Sequence, residues 1–246
     1  MSELSVDRRP DRLEVTLDHP STRNAISRAM VDELHAVCAE LEAEPRILVL
    51  AGSPEVFASG ADIAELRERT AADALAGINS RIFDRIARLP MPVIAAIDGW
   101  ALGGGAELAY AADIRIAGEG LRIGNPETGL GIIAAAGATW RLPEIVGDAL
   151  ARELLFTGRT LDAGEALAAG LVSRVVPSTE LLKAAHEIAD RIARNDPLAT
   201  RLTKAVLAAP RSAHPAIDEQ TQALLFESPE KRRRMTEFLT RKKKPT

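Results

Sequence analysis

With 246 residues the chain can bury a large core, as one large domain or as a domain with an appendage. Apolar residues make up 46% and charged residues 27%, an ordinary balance for a soluble globular protein, and a net charge of −4 argues against a general nucleic-acid binder. Cys38 is the only cysteine, which excludes an intrachain disulfide and a cysteine metal cluster; on helical spacing it falls between Val37 and Leu41 and reads as core packing. No stretch reaches the roughly 18 consecutive apolar residues of a membrane helix. Residues 1–10 lack an apolar signal region and contain Glu3 and Asp7, so the cytoplasm is the expected location.

In chain order, Leu13, Val15 and Leu17 alternate with polar residues and predict a half-exposed opening strand. Ser27 is suited to cap a helix in which Met30, Leu34, Val37, Cys38 and Leu41 form one apolar stripe, ended by Pro45. Ile47–Ala51 is a short apolar run and predicts a buried strand. Asp62 is placed to cap a short helix from Ile63. One long helix is predicted through Leu75, Ile78, Ile82, Ile86 and Leu89, closed by Pro90 and Pro92. Strands at 93–97 and 114–117 follow. From Ala138 the pattern is helical, near 138–147, 148–157, 162–169, 179–194 and 197–208, with one strand-like interruption at 171–176. Strand–helix alternation of this kind indicates α/β layering with parallel strands. Asn195-Asp196-Pro197 marks the expected boundary, giving a core of residues 1–195 and a helical region of residues 196–246.

Three stretches stand out chemically. Strand 93–97 runs into Asp98-Gly99 and then Gly103-Gly104-Gly105-Ala106-Glu107, where a helix begins; free N–H groups gather there at the positive end of a helix dipole, a place that attracts an oxyanion. Ser59-Gly60-Ala61-Asp62 supplies small residues at the exit of another strand. Gly124-Asn125-Pro126-Glu127 sets a second carboxylate in a turn. Two carboxylates and two backbone donors are what adding water to a carbonyl-conjugated alkene requires. Each stretch taken alone also reads as a tight turn.

Other patterns carry less. Gly129-Leu130-Gly131-Ile132-Ile133-Ala134 fits a dinucleotide fingerprint formally, but a turn and not a strand precedes it. His19, His35, His186 and His214 show no metal-type spacing, and no metal site is expected. The basic runs at 231–234 and 241–244 read as solvated helix ends, with Arg241 equally suited to meet a phosphate.

Taken together, in this order and spacing, the three stretches make the chain resemble the crotonase (enoyl-CoA hydratase/isomerase) superfamily, and within it the hydratases, over nearly its whole length from Asn24-Ala25. The resemblance implies an α/β fold, a spiral of ββα repeats with a C-terminal helical trimerisation region, and assembly as a homotrimer or homohexamer. It implies an enoyl-CoA hydratase, a lyase of acyl-CoA metabolism. Ala61 and Gly104 would form the oxyanion hole through backbone N–H, and Glu107 and Glu127 would hold a water between them as acid and base, in an order the sequence leaves open. Ala135 would donate a backbone N–H to that water. Arg23, Ala25 and Ile63 match positions lining the adenine end of coenzyme A, and Phe238 and Arg241 match C-terminal contacts to it. Coenzyme A would arrive as part of the substrate, with no prosthetic group. One departure concerns the wall after the second glutamate, where many hydratases read Pro-Gly-Ala-Gly-Gly and this chain reads Ala134-Ala135-Ala136-Gly137-Ala138. An enoyl-CoA isomerase and a non-enzymatic acyl-CoA-binding subunit are the alternatives.

Overall fold

A computed structural model describes residues 2–242, with side chains through Thr240. The Leu13–Leu17 alternation does form a strand, β2 (Arg12–Leu17), but β1 (Leu4–Arg8) precedes it and pairs with it antiparallel, Leu4 opposite Leu17 and Arg8 opposite Leu13. Only Leu4 of β1 is fully buried, which is why apolar patterning missed the strand. Helix α1 (Arg28–Ala43) starts where expected, the Met30 amide donating to Ser27 Oγ at 3.0 Å, and its apolar stripe is buried.

The chain continues through β3 (Ile47–Ala51), β4 (Val56–Ala58) and α2 (Ile63–Glu68), whose cap Asp62 accepts the Glu65 amide at 2.9 Å. The long helix predicted next is two: α3 (Ala71–Ala76) and α4 (Ile78–Ala87), divided at Gly77 in left-handed geometry. Leu75, counted in the apolar stripe, is 84% exposed because the break turns α3 off the core. Next come β5 (Val93–Ile97), β6 (Trp100–Leu102), α5 (Gly104–Tyr110), β7 (Ile114–Gly118) and β8 (Arg122–Gly124). A 3-10 turn over Glu127–Leu130 leads to α6 (Ala138–Val146), α7 (Asp148–Thr157), β9 (Thr160–Asp162) and α8 (Ala163–Ala168). The strand expected at 171–176 reduces to β10 (Val175–Val176), followed by α9 (Leu181–Ala193).

Two sheets form, ordered β1-β2-β3-β5-β7-β10 and β4-β6-β8-β9. The first is parallel from β2 onward; the second is parallel except at β9. Successive strands therefore alternate sheets (β3 then β4, β5 then β6, β7 then β8) before each helical excursion, a spiral of ββα turns. Ile47–Ala51 and Val93–Ile97 are buried at every residue, as parallel strands covered on both faces must be. His186 is structural: its Nε2 lies 2.7 Å from Glu14 Oε2, beside the buried Arg12, which pairs with Asp11 and Asp190.

Contacts divide the chain into two units, one up to Arg191 and one from Ile192. The second consists of α10 (Pro197–Leu207), α11 (Ala216–Phe226) and α12 (Pro229–Lys242). Leu207, Leu224, Phe226 and Leu239 on these helices are exposed. No helix of the described residues is long and apolar enough to cross a membrane.

Candidate active site

The glycine turn is built by close approach of backbone to backbone. A β-carbon on Gly105 would lie 2.3 Å from the Ala58 carbonyl oxygen, so only glycine lets α5 press its first turn onto β4. The Gly103 amide donates to the Gly124 carbonyl at 2.9 Å and ties the same turn to β8. On the neighbouring segment, the Ile26 amide donates to Gly60 O at 2.7 Å and the Asp62 amide to Ile26 O at 3.4 Å. That bridge uses the groups on either side of Ala61, whose own N–H faces the opposite way, as alternate amides of an extended segment do.

Ala61 and Gly104 are thereby brought together: a β-carbon on Gly104 would lie 3.5 Å from the Ala61 nitrogen. Among the described residues neither amide donates to a protein acceptor; Gly104 is the first residue of α5, where helix amides have no partner of their own. Both line a cavity of about 630 Å³, together with Glu127 and Ala135.

The two carboxylates are anchored differently. Glu107, in the first turn of α5 and 3% exposed, accepts the Ala136 amide at 2.7 Å and the Ala138 amide at 3.1 Å, both on Oε1. Glu127 opens the 3-10 turn; its Oε1 accepts from Asn125 Nδ2 at 3.4 Å, while its buried Oε2 has no protein partner. Asn125 is oriented in turn by the Tyr110 hydroxyl, which donates to its Oδ1 at 3.0 Å. Burial pushes the Glu107 carboxyl up to about 7, the Glu127 charge adding to the rise against the pull of the backbone amides. Burial also raises Glu127 above the usual carboxylate range, against the pull of its backbone and Asn125 hydrogen bonds.

Of the alanines that replace the expected glycine-rich wall, Ala134, Ala136 and Ala138 are buried, and Ala135 and Ala136 line the cavity. Arg23, Ala25 and Ile63 lie on segments joined to one another, since the Ser59 amide donates to Arg23 O at 3.1 Å and Ile26 bridges Ala61. Arg23 and Ile63 are exposed, Ile63 on the cavity wall, while Ala25 is buried and offers backbone only. Phe238 is exposed on α12. The Arg241 side chain lies outside the described residues.

Several wall residues escaped sequence reasoning. Asn79 and Arg69 line the cavity, Arg69 Nη1 donating to Asn79 Oδ1 at 3.1 Å. A polar Asn79 at helical spacing from Ile82, Phe83 and Ile86 was the available signal. Leu130, Ile132 and Ile133, within the misleading dinucleotide-like string, form an exposed apolar wall of the same cavity.

Against known proteins, residues 12–245 match the family model described as enoyl-CoA hydratase/isomerase. The chain is 41% identical over 195 residues to a short-chain-enoyl-CoA hydratase of Clostridium acetobutylicum, covering 77% of this chain and 75% of that one. It is 39% identical over 211 residues to a 2,3-dehydroadipyl-CoA hydratase of Escherichia coli, covering 84% and 82%. A solved structure of an enoyl-CoA hydratase from Bacillus anthracis superposes with a TM-score of 0.92 at 34% identity, over 99% of this chain and 98% of that one.

Proposed function

We propose that this chain, which belongs to the enoyl-CoA hydratase/isomerase family, is a hydro-lyase that adds water across the 2,3 double bond of a 2-enoyl-CoA thioester. The observation that carries the reading is a pair of buried carboxylates, Glu107 and Glu127, both raised toward neutrality beside two unengaged backbone donors.

In this reading the thioester oxygen sits between the Ala61 and Gly104 amides. A water held by Glu107, Glu127 and the Ala135 amide attacks C3. The alkene electrons move through C2 onto the thioester oxygen, giving an enolate that the two amides stabilise because they are in place before the charge develops, each worth roughly 10²–10³ in rate. One carboxylate takes a proton from the water and the other gives one to C2, so hydroxyl ends on C3 and hydrogen on C2. Glu107, pushed up to about 7, is poised to exchange a proton near neutral pH, and burial moves Glu127 in the same direction. Having two carboxylates favours hydration over isomerisation, which often needs only one of them.

The second unit is read as the surface of a homotrimer or homohexamer, supported by its exposed leucines, with Phe238 and Arg241 on α12 as contacts to coenzyme A. Arg23, Ala25 and Ile63 are assigned to its adenine end. A single, free and buried cysteine is compatible with the proposed location, the cytoplasm.

Mass spectrometry of products from a panel of enoyl-CoA thioesters in ¹⁸O water tests the activity. One ¹⁸O gained per turnover is the expected result. A shifted double bond without ¹⁸O would establish an isomerase, and tight binding without turnover a non-enzymatic subunit.

A further inference from the structure

The turn that delivers two amides to Glu107 has an unusual support. Gly137 sits at φ 151 between the two donors Ala136 and Ala138, and helix α6 begins on its carbonyl, which accepts the Arg141 amide at 2.8 Å. The Arg141 side chain then folds back over the same residue: a β-carbon on Gly137 would lie 2.7 Å from Arg141 Nη1. The guanidinium therefore occupies the space that a side chain at 137 would fill. The side chain is mostly covered, 11% exposed, with Nη2 3.3 Å from Asp84 Oδ1 on α4 and Cζ 5.0 Å from the Trp140 ring centroid. Nη1 has no protein partner. A buried guanidinium with an idle donor is costly unless something else requires it there.

We propose that Arg141 is a positioning residue for Glu107, bracing the Gly137 turn so that the Ala136 and Ala138 amides stay aimed at Oε1 and setting a fixed positive charge beside the carboxylate. The role rests on the hydratase reading of the site. Glu127 on the 3-10 turn raises the Glu107 carboxyl, Tyr110 on its own helix and Arg141 on α6 each feel the Glu107 charge, and Asp84 on α4, Arg88 just past the end of α4 and Glu144 on α6 act on Arg141 in turn. Burial and Arg88 lower the Arg141 pKa while Asp84, Glu107 and Glu144 raise it, and a guanidinium remains charged at neutral pH. Removing this cation takes away a charge that attracts the ionised Glu107 and leaves the repulsion from Glu127, which makes ionising Glu107 harder. Shortening the brace loosens the amides, which acts in the same direction.

Arg141→Met keeps most of the volume without the charge, and Arg141→Lys keeps the charge without the fork. In Arg141→Met the kcat–pH limb belonging to Glu107 should move upward by roughly 0.5 or more, about a threefold change in ionised fraction at fixed pH, with KM nearly unchanged. Arg141→Lys should return the limb toward its wild-type position. Carbon-13 NMR of Cδ-labelled glutamate, with the Glu107 signal identified by its absence from Glu107→Gln, reads the same protonation without turnover. A protein without hydratase activity would thus overturn the proposed function while leaving this measurement readable. A wild-type Glu107 titration in Arg141→Met, or equal kcat losses in both variants with no displacement of the limb, would overturn the positioning role.

Discussion

Oε1 of Glu107 accepts the Ala136 amide at 2.7 Å, so a carboxylate on the first turn of one helix is held by the loop that starts another. The Ala138 amide joins on the same oxygen at 3.1 Å. Glu127 is arranged in parallel fashion, with Asn125 on Oε1 and nothing on Oε2. Each carboxyl is thus held through Oε1.

That arrangement separates chemistry from binding. Glu107→Gln and Glu127→Gln preserve shape and the accepting oxygen but remove the ability to exchange a proton. Each should lower hydration by about 10²–10⁴-fold, the usual worth of a positioned acid or base, while acyl-CoA affinity stays close to wild type. Turnover of crotonyl-CoA and calorimetric binding of a saturated acyl-CoA read the two effects independently. Near-wild-type turnover in either variant would remove that residue from the reaction.

Gly104 offers a test of the backbone donors. It is the first residue of α5, a position where proline fits a helix without breaking it. Gly104→Pro deletes the N–H, whereas Gly104→Ala keeps it and adds a methyl group 3.5 Å from the Ala61 nitrogen and 3.6 Å from Asn79 Nδ2, ordinary contact distances. Proline should cost roughly 10²–10³ in kcat, and more than alanine, with unchanged circular dichroism for both. A folded proline variant with wild-type activity would falsify the donor assignment.

How legible these parts were in the sequence follows from how local their causes are. The α1 cap, the buried runs 47–51 and 93–97 and the short helix capped by Asp62 depend on neighbours in the chain, and each formed where patterning put it. β1 did not show, because it is stabilised by pairing with β2 more than by burial of its own side chains. Gly77 reads as a tolerable glycine within a helical repeat until left-handed geometry there turns the chain. Glu107 and Glu127 were visible through glycine- and proline-framed settings, but Arg141 and Tyr110 were not: one looks like a helix-face cation until its side chain folds over Gly137, and the other like a core aromatic until its hydroxyl reaches Asn125.

The exposed leucines of the second unit lead to a prediction on assembly. Covering one such side chain is worth roughly 1.5–3 kcal/mol, about tenfold or more in a dissociation constant for each one. Leu224→Asp and Leu207→Asp, at two exposed positions, should therefore shift a trimer or hexamer toward smaller species at micromolar concentration, as sedimentation velocity would show, without unfolding α11 or α10. Wild-type sedimentation at the size of one chain would remove the assembly claim altogether.

The raised carboxyl of Glu107 makes stability depend on pH in a definite direction. In the unfolded chain this group titrates near its ordinary value of 4.5, and in the folded protein near 7. Between those values the folded state binds more protons than the unfolded one, so this residue's contribution makes stability fall as pH rises, with the full cost present above about 7. Glu107→Gln cannot ionise and escapes that cost, while its carbonyl oxygen can still accept the Ala136 and Ala138 amides. The variant should therefore be more stable than wild type at pH 8, by roughly 1–3 kcal/mol at about 1.4 kcal/mol per tenfold change in proton affinity, and the advantage should shrink to nothing by about pH 4. Urea denaturation of both proteins across this range measures the difference directly. A stability gain independent of pH would show that Glu107 is not held protonated by its surroundings, and a loss at pH 8 would show that its charge stabilises the fold.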